Sequence, residues 1–243
     1  MTAVSSNKEK VVGVIGGMGP EATVNLMQRI IDLTPADDDV DHIHVLVDNN
    51  PKIPSRIKAL IEGGGEDPAP SMISMAQGLV KQGADFLVIP CNTAHHYYPQ
   101  VAAAVDVPVV NLIELTVKHA KAMNPQLSKV GLLASSALQI IHLYEPWCAD
   151  YGAQVLYPES QRQQQVMALI RAVKAKRHTA EQLQNYQAAA DDLAAQGAEC
   201  LVLACTELSV IGDQLKTSLP IYDASELLAR EVVRQALGND LTV

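Results

Sequence analysis

The sequence predicts an α/β fold made of two pseudo-symmetric, three-layer domains with parallel sheets, and an active site in the cleft between them. Short apolar runs alternate with helical patterns along the 243 residues, which is typical of parallel sheets. A twelve-residue stretch at 82–93 recurs without a gap at 196–207. The predicted elements around both copies follow nearly the same order, which indicates an internal duplication.

Each copy of the repeat reads as a Gly turn, an acidic residue, a short apolar run and then a cysteine, either Cys91 or Cys205. A continuous apolar run bounded by Gly and polar residues indicates a strand buried on both faces of a sheet. Ligands of open α/β sheets bind at the carboxyl ends of the strands. We therefore expect both thiols to lie at an active-site edge and to approach the cleft from opposite sides.

The remaining elements extend the duplication over most of the chain. Pro20 and Glu21 suit the first turn of a helix at 20–33. The first unit is predicted to contain strands at 10–15, 42–47 and 108–112, and helices at 20–33, 56–62, 70–81, 92–105 and 115–123. The second is predicted to contain strands at 129–133, 153–157 and 220–222, and helices at 139–151, 161–173, 180–196 and 225–237. We assign 1–114 plus 223–243 to one domain and 115–222 to the other.

The composition excludes several classes of partner. The net charge of −9, without a basic run, argues against nucleic acid and anionic membranes. The sequence contains no signal peptide or membrane-spanning run, so we expect a cytoplasmic protein with reduced thiols. The four cysteines show no metal-ligand spacing, so no metal site is expected.

Two thiols on opposite faces of one ligand suit inversion at a carbon, in which one thiolate removes the Cα proton and the other thiol returns one. A helix N-terminus would lower a cysteine pKa toward neutrality. Asn92 and Thr93, like Thr206 and Glu207, are predicted to cap helix starts. The hydroxyl, amide and backbone N–H groups of these residues could also donate hydrogen bonds to a substrate carboxylate. Groups around Thr93, Ser135 and Thr206 are candidates to stabilise the enolate-like carbanion.

Three motifs, at 14–21, 90–95 and 204–208, resemble those of the cofactor-independent aspartate/glutamate racemases. The aspartate racemase branch fits best, because glutamate racemases typically carry a His where this chain has Glu207. The resemblance implies two-base racemisation of an amino acid, with aspartate as the expected substrate and glutamate or a broad range of amino acids as the alternative. It also implies no pyridoxal phosphate, no metal and a homodimer.

The resemblance assigns further site residues. Arg56 matches the arginine that grips the substrate side-chain carboxylate, and a guanidinium offers a bidentate fork for such a group. Lys174 lies where the family has a lysine for the same end of the substrate, and Lys176 is the alternative. Met18 and Gly19 are expected to line the site.

Other functions fit parts of the pattern. Gly17 and Gly19, followed by Ala22, satisfy a relaxed fingerprint for dinucleotide binding. The acidic residue that this fingerprint requires would be Asp48, which lies about ten positions beyond the usual place for it. A dicarboxylate decarboxylase or cis–trans isomerase would use Cys91 or Cys205 as a nucleophile. A ligand-binding protein of the same fold would need neither thiol.

Overall fold

A computed structural model describes residues 9–238 and confirms the predicted α/β class. The strands are β1 (Val12–Gly16), β2 (Val45–Asn49), β3 (Phe86–Val88), β4 (Lys129–Ala134), β5 (Gln154–Leu156), β6 (Cys200–Ala204) and β7 (Ile221–Asp223). The helices are α1 (Pro20–Leu33), α2 (Ala69–Lys81), α3 (Tyr98–Ala103), α4 (Leu112–Met123), α5 (Ser136–Ile140), α6 (Glu145–Asp150), α7 (Ser160–Lys174), α8 (Ala180–Ala195), α9 (Thr206–Ser209) and α10 (Ala224–Leu237). Single turns of 3₁₀-helix lie at Asp39–Asp41, Thr93–Tyr97 and Gly212–Gln214, and a π-helical turn lies at Lys58–Glu62.

The two sheets repeat one topology. The first has the order β2-β1-β3 and the second β5-β4-β6-β7, and every pairing is parallel. A single parallel bridge between Leu87 and Val109 stands in the first sheet where β7 stands in the second. The duplication read from the sequence is therefore present in the strand order.

Each sheet is covered by helices on both faces, as expected for parallel strands that are buried on both sides. Residues of β1 and β3 alternate between two buried clusters, one shared with α2 and α3 and the other with α1 and α10. Residues of β4 and β6 divide in the same way between α7 and α8 on one face and α4 and α6 on the other. The predicted three-layer arrangement is thus confirmed for both halves.

Two helices cross from one half of the molecule to the other. α4 follows the segment that bridges to β3, yet Ile113, Val117 and Ala120 pack with the core of the second sheet. α10 follows β7 of the second sheet, yet Leu228 and Val232 pack with β1 and α1 of the first. This exchange favours the division into 1–114 plus 223–243 and 115–222, which stays a prediction.

The structure corrects two of the predicted elements. The strand expected at 108–112 is reduced to the bridge at Val109, because the Asn111 side chain accepts hydrogen bonds from the first turn of α4 and starts that helix at once. The helix expected at 139–151 is interrupted after Ile140, and Pro146 occupies the first turn of the new helix α6. Pro20 occupies the first turn of α1, as predicted.

Within residues 9–238, no helix combines the length and the apolar character that crossing a bilayer requires.

Arg29 ties the returning helix α10 to the first half of the molecule. Its guanidinium contacts Asp223 at 3.0 Å and Glu226 at 2.7 Å. We expect Arg29→Met to lower the free energy of unfolding by about 1.5–3 kcal/mol, because two partly buried carboxylates lose a charge-assisted partner. Urea denaturation measures the change.

The matched control for Arg29 is Lys118→Met, which removes an exposed ion pair with Glu114 one helical turn away. Such pairs contribute little, so this variant should unfold at nearly the same urea concentration as the parent protein. Equal effects of both substitutions would contradict a docking role for Arg29.

Candidate active site

One small cavity lies at the carboxyl ends of both sheets, between the two halves. Its volume is about 120 Å³, which is smaller than the pockets that hold drug-sized ligands. Nine of the ten predicted site residues line it: Met18, Arg56, Cys91, Asn92, Thr93, Ser135, Lys174, Cys205 and Thr206. The tenth, Gly19, lines a neighbouring cavity instead and lies against the side chains of Lys174 and Glu207.

The two cysteines reach this cavity from corresponding places. Cys205 directly follows β6, and Cys91 follows β3 after two further residues. Their exposed fractions are nearly equal, 8% for Cys91 and 9% for Cys205. The other two cysteines, Cys148 and Cys200, are fully buried in a core of the second half, away from the cavity lining.

The electrostatics of Cys205 differ from the sequence prediction. Burial, followed by the charge of Glu207 and a hydrogen bond to it, raises the pKa of the Cys205 thiol well above its usual value. The thiol donates to Glu207 Oε2 at 3.1 Å. The expected lowering by a helix N-terminus was wrong, because α9 has only four residues and the site is desolvated.

Glu207 connects Cys205 to Lys174. Its second oxygen, Oε1, lies 3.1 Å from Lys174 Nζ. Burial lowers the pKa of Lys174, but the charge of Glu207 and its hydrogen bond outweigh that effect, and the net shift is upward. Lys176 lies outside this cavity and pairs with Glu21 at 3.1 Å. Of the two candidate lysines, Lys174 is therefore the one that lines the cavity.

Asn92 and Thr93 face the cavity from the first half. Contrary to prediction, no side-chain cap is found at the turn after Cys91 or at α9. The Asn92 side-chain oxygen instead accepts a 2.6 Å hydrogen bond from the hydroxyl of Tyr144, whereas its amide nitrogen is buried without a partner among residues 9–238. Thr93 and Ser135 share a hydrogen bond of 3.2 Å between their hydroxyl oxygens, which joins the two halves across the cavity.

His95 supports the loop that carries Cys91. Its Nδ1 lies 2.9 Å from the Cys91 carbonyl, and its Nε2 accepts from the backbone N–H of Leu112 at 3.0 Å. With Nε2 accepting, Nδ1 carries the proton and donates to that carbonyl in the neutral ring. Burial lowers the pKa of His95 to about 4. The imidazole thus holds the Cys91 backbone and the start of α4.

Arg56 reaches the cavity from the loop after β2. Its Nη1 donates to the carbonyl of Pro54 at 3.1 Å, and its Nε is buried without a partner in the described part of the chain. Gly17 makes the turn after β1 possible, since its φ is +94° and an added Cβ would collide with the backbone of Asn50. That turn brings Met18 to the cavity.

Sequence reasoning missed three residues of this region. Glu207 was expected only to cap a helix start, and Arg171 and Tyr144 were not singled out. Arg171 also lines the cavity, and its spacing of three from Lys174 on α7 places both on one helix face. No comparable sequence signal identifies Tyr144. It lies in the second half of the molecule, whereas its partner Asn92 lies in the first.

Comparisons with known proteins agree with this geometry. A family model described as Asp/Glu/Hydantoin racemase matches residues 15–232. A broad specificity amino-acid racemase of Bacillus subtilis is 30% identical over 232 residues, covering 94% of this chain and 99% of the relative. The aspartate racemase of Picrophilus torridus has a TM-score of 0.78 at 29% identity, over 93% of this chain and 94% of its own. A glutamate racemase isoform of Bacillus anthracis shares the fold, with a TM-score of 0.65 at 18% identity over 97% and 85% of the two chains.

The hydrogen bond from Tyr144 to Asn92 can be tested through stability. Tyr144 is fully buried, so Tyr144→Phe removes the hydroxyl and leaves the Asn92 oxygen without that partner. We expect the free energy of unfolding to fall by about 1–3 kcal/mol, measured by urea denaturation.

Tyr186→Phe is the matched control, because the Tyr186 hydroxyl is equally buried but finds no hydrogen-bond partner among residues 9–238. Removing an unsatisfied polar group should leave the stability unchanged or slightly raise it. If Tyr144→Phe were as harmless as Tyr186→Phe, the Asn92 contact would have no energetic role.

Proposed function

Because the chain belongs to the Asp/Glu/hydantoin racemase family, we propose that it is an amino-acid racemase that inverts Cα without a cofactor. The observation that carries the proposal is the pairing of two thiols, Cys91 and Cys205, which come from corresponding strand ends and line one cavity. One cysteine comes from each half of the molecule, which suits a reaction that needs one proton-transfer group on each face of a carbon. The size of the cavity suits a free amino acid.

The proposed reaction uses each thiol once. One cysteine, as thiolate, removes the proton from Cα, and the electron pair is delocalised into the substrate carboxylate. The other cysteine, as thiol, then delivers its proton to the opposite face. General acid–base groups contribute most when they are held within hydrogen-bond reach of the reacting atom, which the narrow cavity favours.

Polar groups around the cavity would hold the α-carboxylate while it gains charge. The unpartnered amide N–H groups of Asn92 are the strongest candidates, because a buried donor without a partner gains most from an anion. The hydroxyl groups of Thr93, Ser135 and Thr206 line the same cavity and offer further donors. Donors fixed in advance stabilise an enolate-like carbanion without reorganising.

Aspartate is the substrate that we favour. Three cationic side chains, Arg56, Arg171 and Lys174, line the cavity against one carboxylate, Glu207. This balance favours an amino acid with an anionic side chain. The similarity to an aspartate racemase at 29% identity supports the same choice. A homodimer and a cytoplasmic location stay predictions.

A broad specificity racemase is the second candidate. The Bacillus subtilis relative carries that name, and two of the three cations here already have protein partners, Pro54 for Arg56 and Glu207 for Lys174. Glutamate is a further alternative that the charge balance does not separate from aspartate. A panel of free amino acids, analysed by chiral chromatography, distinguishes these substrates.

The two-base proposal predicts the behaviour of single cysteine variants. In D₂O without added cofactor, the parent protein should racemise L-aspartate and incorporate deuterium at Cα. Cys91→Ala and Cys205→Ala should each lower racemisation by at least about 100-fold, because general acid–base groups contribute factors of roughly 10² to 10⁴. Each variant should still exchange the Cα proton of one enantiomer, and a different one in each case.

Cys148→Ala is the control for that experiment, since Cys148 is buried in the second half and does not line the cavity. It should racemise at the parent rate. Racemisation near the parent rate in either cavity variant would rule out the two-thiol mechanism. A trapped covalent adduct on either cysteine would favour a dicarboxylate isomerase or decarboxylase.

The role of Arg56 predicts a change of specificity. Arg56→Leu should lower kcat/KM for aspartate by about 10- to 100-fold, the loss of one charge-assisted contact, and should leave any turnover of alanine unaffected. Lys58→Leu removes an exposed charge from the same segment outside the cavity and should change neither substrate. Equal turnover of alanine and aspartate by the parent protein would refute this role.

A further inference from the structure

The two cavity thiols are not equivalent in their surroundings. Cys205 donates a hydrogen bond of 3.1 Å to the carboxylate of Glu207, whereas in the described part of the chain no carboxylate is hydrogen-bonded to Cys91 Sγ. The exposed fractions of the two cysteines differ by only one percentage point. The asymmetry is therefore one of charge and hydrogen bonding rather than of access.

We propose that Glu207 holds Cys205 as the protonated thiol in the resting protein, so that Cys91 is the thiolate that removes the first proton. Glu207 is thus a positioning residue that acts through Cys205. The assignment of roles in catalysis rests on the function proposed above, whereas the protonation of the two thiols can be measured independently of it.

The geometry of Glu207 fixes this arrangement at both of its oxygens. Oε2 accepts from the Cys205 thiol and lies 3.4 Å from the Thr206 hydroxyl, and Oε1 pairs with Lys174 at 3.1 Å. Loss of the Cys205 proton would remove the hydrogen bond and place two negative charges about 3 Å apart in a desolvated site. Lys174 opposes that repulsion only in part, because its ammonium is bound to the far oxygen of the same carboxylate.

Cys91 has a different environment. Its carbonyl accepts from the neutral ring of His95, so the nearest imidazole adds no charge. Within residues 9–238, the charged side chains that line its cavity are Glu207, which is already held by Cys205 and Lys174, and the cations Arg56, Arg171 and Lys174. Cys91 therefore shares its cavity with three cations and with one carboxylate that already has two partners.

This asymmetry has a consequence for the reaction cycle. The resting form accepts the enantiomer whose Cα–H points to Cys91, and one turnover leaves Cys91 as thiol and Cys205 as thiolate. The form with a thiolate at Cys205 is the less stable one, because that thiolate lies beside Glu207. Cys205 therefore takes a proton from solvent, and Cys91 releases one, before the protein accepts the same enantiomer again. The equilibrium constant of a racemisation is one, so the ratio of kcat/KM values does not report this difference.

Alkylation of the native protein tests the proposal directly. The parent protein is treated with limiting iodoacetamide across a range of pH, and modification of each cysteine is followed by peptide mass spectrometry. Because the thiolate is the reactive form, we expect Cys91 to react at least tenfold faster than Cys205 near neutral pH. Cys148 and Cys200 are buried internal references, since burial raises the pKa of each to about 12.

Glu207→Gln supplies the second measurement. It keeps the shape of the side chain but removes its charge, so Cys205 should react at least tenfold faster and over a lower pH range, while Cys91 changes less than twofold. Glu21→Gln is the control, because it removes one carboxylate that pairs with Lys176, lines the neighbouring cavity and does not contact either thiol. It should leave both alkylation profiles unchanged.

The outcomes separate this inference from the proposed function. Equal reactivity of the two thiols in the parent protein, faster reaction of Cys205, or an unchanged Cys205 profile in Glu207→Gln would overturn it, even in an active racemase. The expected alkylation pattern in a protein that racemises no amino acid would support the protonation assignment and overturn the proposed function alone.

Discussion

The exchange of helices between the two halves is the constraint on which the site depends. α4 leaves the first sheet to cover the second, and α10 leaves the second to cover the first. Each half completes its hydrophobic core with a helix from the other, so separating the halves would expose both cores to water. The two carboxyl edges are thereby held against each other, and a cavity of only about 120 Å³ remains between them.

Much of this arrangement can be predicted from the sequence, because the chain contains the same pattern of elements twice. The repeat around Cys91 and Cys205 predicts two buried strands in equivalent places, and parallel strands present their carboxyl ends at one edge of a sheet. The pattern fails where a local interaction overrides it. Asn111 starts α4 so early that the strand expected beside β3 shrinks to a single bridge.

The chemistry of the site was less predictable than its location. A cysteine before a helix suggests a lowered pKa, but the sequence does not show that the helix is only four residues long or that the thiol is desolvated. Asn92 and Thr93 resemble caps, yet their partners Tyr144 and Ser135 lie 52 and 42 residues away in the chain. Contacts of that range depend on how the two halves dock, which local patterns do not encode.

In the proposed mechanism, the position of Glu207 links substrate selection to proton transfer. Lys174 is expected to hold a substrate carboxylate, but here its ammonium is already paired with Glu207 at 3.1 Å. A dicarboxylic substrate that attracts Lys174 would weaken the hold of the ammonium on Glu207 and strengthen the bond of that carboxylate to the Cys205 thiol. Arg56 donates to the Pro54 carbonyl rather than to a carboxylate, so an anion that approached its guanidinium would not compete with an ion pair of the kind that holds Lys174. In that mechanism, the cations proposed to hold the substrate side chain are therefore coupled to Cys205, one of the two proposed acid–base groups, through a single carboxylate.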